Sequence, residues 1–117
     1  MKKALTSAAL IVVLLLVVSA KTYSQDVAAV EGYLYVGGNA ACTITWDTSA
    51  KVFKVYWEGG TGYTLLFEKG TSPNGNVEYE EYEHDGNTYT GKFIFRDNSC
   101  STGTYYRKDG KSFSVKR

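Results

Sequence analysis

The sequence predicts an all-β protein. About eight short antiparallel strands form a hairpin meander, closed as a small barrel or packed as a two-sheet sandwich, after an N-terminal signal peptide. Three observations predict this fold: polar and apolar residues alternate beyond residue 30, turn signals recur about every ten residues, and aromatic residues recur at a spacing of seven, as in Trp46 and Phe53. The 117 residues suffice for one domain, and 15% aromatic residues exclude a disordered chain.

Residues 1–20 are typical of a secretory signal peptide. Lys2 and Lys3 precede an uncharged stretch over 4–18, and Val18-Ser19-Ala20 fits a cleavage site. The apolar run is shorter than the roughly 20 residues of a membrane-spanning helix, so we expect cleavage and no membrane span in the mature chain. We expect a secreted or periplasmic protein, with a bacterial envelope favoured. The predicted parts are a signal peptide over 1–20, a leader over 21–30 and a single β-domain over 31–117.

Export determines the expected redox state of the two cysteines, Cys42 and Cys100. In an oxidising compartment two cysteines most often pair, and a disulfide closing so long a loop stabilises a fold by about 4 kcal/mol. We therefore predict this disulfide. An up-and-down strand order nevertheless puts the two residues near opposite ends of a barrel. Three alternatives stay open: the loop 97–102 folds back along the wall, two sheets cross steeply, or the pair is not bonded.

The strands follow from the turn signals and from apolar pairs across each hairpin. Asp85-Gly86 and Asp109-Gly110 are type I′ turn signals, because both central positions need φ > 0, and Ser49-Ala50 is a weaker turn at the same spacing. The predicted pairs are Trp46 with Phe53, Ile44 with Val55, Cys42 with Trp57, Tyr82 with Tyr89, and Tyr106 with Phe113. The predicted strands are 31–37, 41–47, 51–58, 62–69, 76–84, 87–96, 103–108 and 111–116, with no helix after residue 20.

Two registers compete at Gly59-Gly60. A two-residue turn opposes Val55 with Thr64, and a three-residue turn opposes it with Leu65. A slip of one residue moves every side chain to the other face, and apolar burial stabilises by roughly 25 cal/mol per Å². We therefore predict the three-residue turn, which makes the spacing of Tyr56 and Tyr63 coincidental. Its pairs are Trp57 with Tyr63, Val55 with Leu65, and Phe53 with Phe67.

The strand 76–84 needs one extra residue if its aromatic residues are to share a face. A bulge near Glu80-Glu81 would do this and would pair Tyr79 with Phe93. The resulting inward set is Ile44, Trp46, Phe53, Val55, Trp57, Tyr63, Leu65, Phe67, Val77, Tyr79, Tyr89, Phe93, Phe95, Phe113 and Val115.

The composition argues against catalysis, metals and nucleic acid. The single histidine, His84, lies beside a tight turn, and there is no nucleophile elbow. One His and two Cys cannot form a structural zinc site without carboxylates, and no loop has EF-hand spacing. A net charge of +1 is not the basic footprint of nucleic-acid binding. We expect no enzyme activity and no cofactor.

The candidate binding residues are acidic and aromatic. Glu78, Glu80, Glu81 and Glu83 form the one charge cluster, which could steer a basic partner. We expect Tyr33 or Tyr35 to face outward with Tyr56 and Tyr105, and exposed tyrosines can anchor a protein interface or stack on sugars. We predict a protein partner, met by Glu78, Glu80, Glu81, Glu83, Tyr56 and Tyr105. A small hydrolase inhibitor would have such an architecture, and the alternative is a carbohydrate- or lipid-binding module.

One segment resembles a known repeat. Asp85-Gly86-x-x-Tyr89-x-Gly91-x-Phe93, followed by Gly103-Thr104-Tyr105 and Asp109-Gly110, looks like one MORN repeat, over residues 85–110 only. The stretch between its halves lacks the expected glycines and contains Cys100. MORN proteins stack many such units, so the resemblance implies a tight β-hairpin and does not extend to lipid binding.

Overall fold

The computed structural model describes residues 27–117, which form one closed barrel of eight antiparallel strands. Each strand pairs with the next along the chain, and β1 pairs with β8 to close the barrel. The predicted all-β meander is confirmed, in its barrel form. The predicted signal peptide lies outside the described residues, as does the leader up to residue 26. The strands are β1 Gly32–Val36, β2 Ala40–Asp47, β3 Val52–Trp57, β4 Thr64–Thr71, β5 Val77–Glu83, β6 Tyr89–Phe95, β7 Thr102–Arg107 and β8 Ser112–Lys116.

The barrel has two different ends. The upper end carries the loops 37–39, 58–63, 84–88 and 108–111, and the lower end carries the other three loops and the chain segment before β1. Within residues 27–117, no helix has the length and apolar character needed to cross a membrane.

A short helix, α1 (Val27–Val30), precedes β1, so the prediction of no helix was wrong. Val30 is fully buried and packs into the barrel core, so α1 covers the lower end. The Arg117 guanidinium donates hydrogen bonds to the carbonyl oxygens of Ala29 (2.6 Å), Val30 (2.9 Å), Glu31 (3.1 Å) and Cys100 (3.1 Å). Carbonyls at the end of a helix lack partners within the helix, and Arg117 satisfies them here.

The core is built from side chains that alternate inward along each strand. An eight-stranded barrel is just wide enough for side chains to fill it. Phe93 and Phe95 stack at 5.8 Å between ring centroids, and Phe53 meets Tyr79 edge-on at 6.0 Å. The buried apolar and aromatic residues are Val30, Leu34, Val36, Cys42, Ile44, Phe53, Val55, Leu66, Val77, Tyr79, Phe93, Phe95, Cys100, Tyr105 and Val115.

Glycines permit the close approach of β6 and β7. A Cβ atom on Gly91 would lie 2.6 Å from the Tyr105 hydroxyl oxygen, and one on Gly103 would collide with the backbone of Ile94 and Phe95. These two glycines belong to the segment that resembles a MORN repeat. Their presence follows from the packing of this barrel.

Several predicted registers are confirmed. Trp46 pairs with Phe53, Ile44 with Val55, Cys42 with Trp57, Tyr82 with Tyr89, and Tyr79 with Phe93. These pairs sit in hairpins whose turns were identified from local sequence, or beside the bulge that was expected near Glu81.

The predicted three-residue turn after β3 was wrong. Val55 pairs with Thr64 and Phe53 with Leu66, which is the register of the rejected two-residue turn. The Tyr56 and Tyr63 rings lie 5.9 Å apart, so their spacing reflects a real contact. Leu66 supplies the buried apolar side chain, and Leu65 and Phe67 turn outward; Phe67 is 40% exposed. An apolar count disfavoured this register because it places Thr64 inside.

The bulge near Glu81 lies on β6 and not on β5. Glu81 pairs with Gly91 and Tyr82 with Tyr89, so Thr90 is the extra residue. Strand β5 therefore alternates without interruption, and Glu81 faces the interior with 1% exposure. The prediction that Glu81 belongs to a surface cluster was wrong for this reason. Tyr89 points outward, contrary to the predicted inward set.

Strands β7 and β8 are shifted by one residue from the predicted register. Phe113 pairs with Tyr105 and not with Tyr106. The Arg107 amide bonds the Lys111 carbonyl at 2.8 Å, which makes a three-residue loop over 108–110. Tyr105 therefore points into the barrel with 6% exposure, and the prediction that it faces outward was wrong.

No disulfide joins Cys42 to Cys100, so that prediction was also wrong. Cys42 faces the interior from β2, whereas Cys100 lies in the lower loop after β6, and both are buried. Burial, together with the negative charge of Glu81, raises the pKa of the Cys42 thiol to about 12. The thiolate is the reactive form of cysteine, so this thiol is chemically inert in the fold.

We expect both thiols to resist alkylation in the folded protein, because both are buried and Cys42 stays protonated at pH 8. Iodoacetamide should add nothing to the native protein within an hour and two adducts after denaturation in urea, as read by intact mass spectrometry. A mass 2 Da lower, with no adducts after denaturation until reductant is added, would contradict the unbonded pair.

Arg117 should stabilise the lower end of the barrel. Arg117→Met removes its hydrogen bonds to the carbonyls of α1 and should lower the free energy of unfolding by about 2 kcal/mol in urea titrations. The matched control is Lys116→Met, because Lys116 is exposed on the neighbouring position and should change stability by less than about 0.5 kcal/mol. Equal effects of the two substitutions would refute the role of the guanidinium.

Candidate functional site

A hydrogen-bonded cluster lies inside the upper half of the barrel around the carboxylate of Glu81. One carboxylate oxygen accepts hydrogen bonds from Trp57 Nε1 (2.7 Å) and Thr64 Oγ1 (2.5 Å), and the other from Thr90 Oγ1 (2.7 Å) and Tyr105 Oη (2.5 Å). Burying a carboxylate without partners costs several kcal/mol. These four donors fill the acceptor positions of an ionised carboxylate, so the cluster is fully satisfied.

The Glu81 carboxylate is not neutralised by a nearby cation. The ion pairs found between residues 27 and 117 involve Asp47, Glu78, Glu80 and Asp109, and none reaches Glu81. Burial and then the charge of Glu81 raise the pKa of the Tyr105 phenol above its ordinary range. The interior at this level therefore carries a negative potential.

The upper end opens above this cluster through what we call the mouth, the opening lined by Trp57, Tyr105, Arg107, Phe113 and Glu81. The rings of Trp57 and Tyr105 form its floor, with centroids 5.2 Å apart and Phe93 packed beneath both. Two adjoining cavities of about 340 Å³ each share Trp57, Tyr105 and Arg107 as walls. The mouth is thus a concave aromatic surface above a buried carboxylate.

Arg107 stands at the rim of the mouth. Its Nε and Nη2 donate to Asp109 at 3.0 and 2.5 Å, and its guanidinium lies 5.6 Å from the ring centroid of Phe113. The hydrogen bond from Arg107 lowers the pKa of Asp109 to about 2. Both side chains are substantially exposed, so their pairing contributes little to stability.

A second feature lies on the outside of the barrel. We call it the outer aromatic face: Tyr56, Tyr63, Phe67, Tyr82 and Tyr89, carried by β3 to β6 and the loop before β4. Tyr56 meets Tyr63 at 5.9 Å, Phe67 meets Tyr82 at 5.6 Å, and Tyr82 meets Tyr89 at 5.7 Å. Tyr56, Phe67 and Tyr89 are exposed by 41%, 40% and 36%. The rings form two groups in contact, Tyr56 with Tyr63, and Tyr82 with both Phe67 and Tyr89.

The charges around the outer aromatic face are largely balanced. Glu80 lies 3.6 Å from Lys69 and Glu78 lies 3.9 Å from Lys92. Glu80 also accepts a hydrogen bond from the Tyr82 hydroxyl at 2.8 Å. The surface is therefore aromatic with mixed charge rather than strongly acidic.

The structure separates the predicted binding residues into two groups. Tyr56, Glu78 and Glu80 lie on or beside the outer aromatic face. Glu81 and Tyr105 lie inside, hydrogen-bonded to each other. Glu83 borders the cavities of the upper end.

Sequence reasoning missed the residues that complete the mouth. Trp57 was expected only as core, and Thr64, Thr90 and Arg107 were given no role. A usable signal was present: Val77, Tyr79 and Glu81 alternate without a break, which places a carboxylate in an inward series. A buried carboxylate requires hydrogen-bond donors. Inward-facing threonines on the neighbouring strands were therefore the candidate donors.

Comparisons with protein-family models, with curated proteins and with solved structures gave no match. Among the described residues, no group of three or more His, Cys, Asp or Glu side chains is arranged to hold a metal ion.

The contribution of the Tyr105–Glu81 hydrogen bond to stability can be tested with two matched variants. Tyr105→Phe leaves an acceptor of the buried carboxylate unfilled and should lower the free energy of unfolding by about 2 kcal/mol. Tyr106→Phe makes the same chemical change on the adjacent residue, whose side chain is exposed, and should leave the urea midpoint unchanged. A loss in Tyr106→Phe as large as in Tyr105→Phe would refute the assignment.

Proposed function

We propose that this chain is an exported, non-catalytic binding protein that recognises a protein partner through its outer aromatic face. One observation carries this function: Tyr56, Phe67 and Tyr89, three of the six large aromatic side chains that are exposed among residues 27–117, project from the neighbouring strands β3 to β6. The other three exposed rings are Tyr33 and Tyr35 on β1 and Tyr106 on β7, while β8, which lies between those two strands, presents Ser112 and Ser114 outward. Clustered exposed apolar side chains with a polar rim are typical of a protein interface, and tyrosine is enriched in such interfaces.

The rigidity of the wall supports the same function. The rings project from paired strands and contact one another, so little side-chain freedom is lost when a partner covers them. Tyrosine also keeps a hydroxyl available at the rim of its apolar ring. A preformed aromatic surface of this kind fits a protein better than a flexible loop would.

The glutamates of the predicted surface support this proposal less than the aromatic residues do. Glu81 is inside the barrel, and Glu78 and Glu80 have lysine neighbours. We therefore expect short-range ring contacts, rather than attraction of a basic partner, to dominate affinity. Export is supported by the composition of residues 1–20, and the location is the cell envelope or the medium.

The test is site-specific photocrosslinking in the organism that makes the protein. A benzophenone amino acid at position 56 or 89, on the outer aromatic face, should capture the same protein, identified by mass spectrometry. The matched control position is 114, on the outer surface of β8, which should capture nothing in common with them.

A quantitative arm follows once the captured protein is purified. Tyr56→Ser combined with Tyr89→Ser should weaken its binding at least about tenfold, as expected for interface aromatic residues, without changing the unfolding midpoint. Identical adducts at position 114, or binding to glycan arrays or lipid vesicles that depends on Tyr56, would overturn a protein partner in favour of a carbohydrate- or lipid-binding module.

A further inference from the structure

The mouth of the barrel has no part in the proposed protein interface, which lies on the outer wall. Its chemistry is nonetheless that of a ligand site. Half-buried Trp57 and Phe113 and buried Tyr105 surround it, and the carboxylate of Glu81 borders one of its cavities. Each cavity, at about 340 Å³, lies at the lower end of the range for small-molecule sites.

The charge of a complementary ligand follows from these groups. The faces of aromatic rings carry negative potential, and Glu81 adds a full negative charge in surroundings of low dielectric constant, where Coulomb interactions are strong. None of the cations in residues 27–117 forms an ion pair with Glu81. The cavity that Glu81 borders is also lined by Glu83 and Asp109, against Arg107 and Lys108, so negative charge exceeds positive charge there. This balance favours a cation.

The hydrogen bonds of Glu81 narrow the kind of cation. Trp57, Thr64, Thr90 and Tyr105 already occupy its acceptor positions. A primary ammonium or a guanidinium must donate hydrogen bonds, and to reach Glu81 it would displace one of these donors. A quaternary ammonium has no N–H group, and it binds by charge and by contact of its methyl groups with aromatic faces.

Two cations of the protein border the mouth and weaken this preference: Arg107, and Lys108 beside the cavity that Glu81 borders. The Arg107 guanidinium borders both cavities and lies 5.6 Å from the centroid of Phe113. Asp109 holds it at the rim through two hydrogen bonds. A positive charge at this position competes with any cation that enters the mouth.

We propose that the mouth binds a quaternary ammonium group, with Trp57 and Tyr105 as its aromatic contacts and Glu81 as the buried countercharge. The ammonium group belongs either to a free solute or to a lipid headgroup, because both present the same chemistry to the mouth.

The probes are choline and its neutral isostere 3,3-dimethyl-1-butanol, which has carbon in place of nitrogen. Each is titrated into purified Trp46→Phe protein, in which Trp57 is the sole fluorescent indole. Choline should bind saturably and about tenfold more tightly than the isostere, the difference expected for a cation over aromatic rings. Equal affinities, or no saturable change with choline, would overturn the proposal.

Two charge variants sharpen the test without disturbing the core. Arg107→Gln removes one of the two competing cations and should tighten choline binding about threefold. Lys116→Gln makes the same charge change on the outer surface of β8 and should leave affinity unchanged. Weaker choline binding in Arg107→Gln would contradict the charge argument and refute the proposal. Preference for 3,3-dimethylbutanoate over choline would also refute it and would assign the mouth to an anion.

A parallel experiment distinguishes an ammonium group on a lipid headgroup from one on a free solute. Sedimentation with phosphatidylcholine vesicles that exceeds sedimentation with phosphatidylglycerol vesicles identifies a lipid headgroup, and choline binding without vesicle binding identifies a free solute. Failure of this site leaves the crosslinking result at positions 56 and 89 unaffected, because the outer aromatic face and the mouth share no residue.

Discussion

The carboxylate of Glu81 ties five consecutive strands together at one level of the barrel. Extending from β5, it accepts hydrogen bonds from Trp57 on β3, Thr64 on β4, Thr90 on β6 and Tyr105 on β7. A slip of one residue in any of these pairings would turn a donor outward. The slip would leave a buried acceptor unsatisfied at a cost of about 1–3 kcal/mol. This carboxylate therefore selects the register of the upper half of the barrel.

The two ends of the barrel differ because polar groups are satisfied differently at each. At the lower end, α1 covers the core, and Arg117 joins its carbonyls to the loop that contains Cys100. At the upper end the polar groups are satisfied from within, so no covering element is needed and the aromatic floor borders open cavities. The hydrogen bonds of Glu81 are thus complete without any contribution from a covering element.

Local turn chemistry predicted much of the fold, and long-range polar contacts decided the rest. The strands lie within two residues of their predicted bounds, and the pair of Trp46 with Phe53 follows from its hairpin. The register after β3 could not be predicted by counting apolar pairs, because Thr64 faces inward to meet Glu81. In the candidate site, Tyr56 is exposed, as the alternation of the strand predicts. Tyr105 faces inward because β7 and β8 are joined by a three-residue loop, and the Asp109-Gly110 signal did not distinguish that loop from a two-residue turn.

The same alternation that builds the core separates the two candidate surfaces. On β5, Glu81 points to the mouth while Glu80 and Tyr82 point to the outer aromatic face. Side chains on opposite faces of a strand share a backbone but no direct contact. An outward substitution therefore leaves the interior hydrogen bonds in place, and a change at the rim of the mouth leaves the outer rings in place. Binding at the two surfaces is thus physically separable, and each can be assigned by variants that leave the other intact.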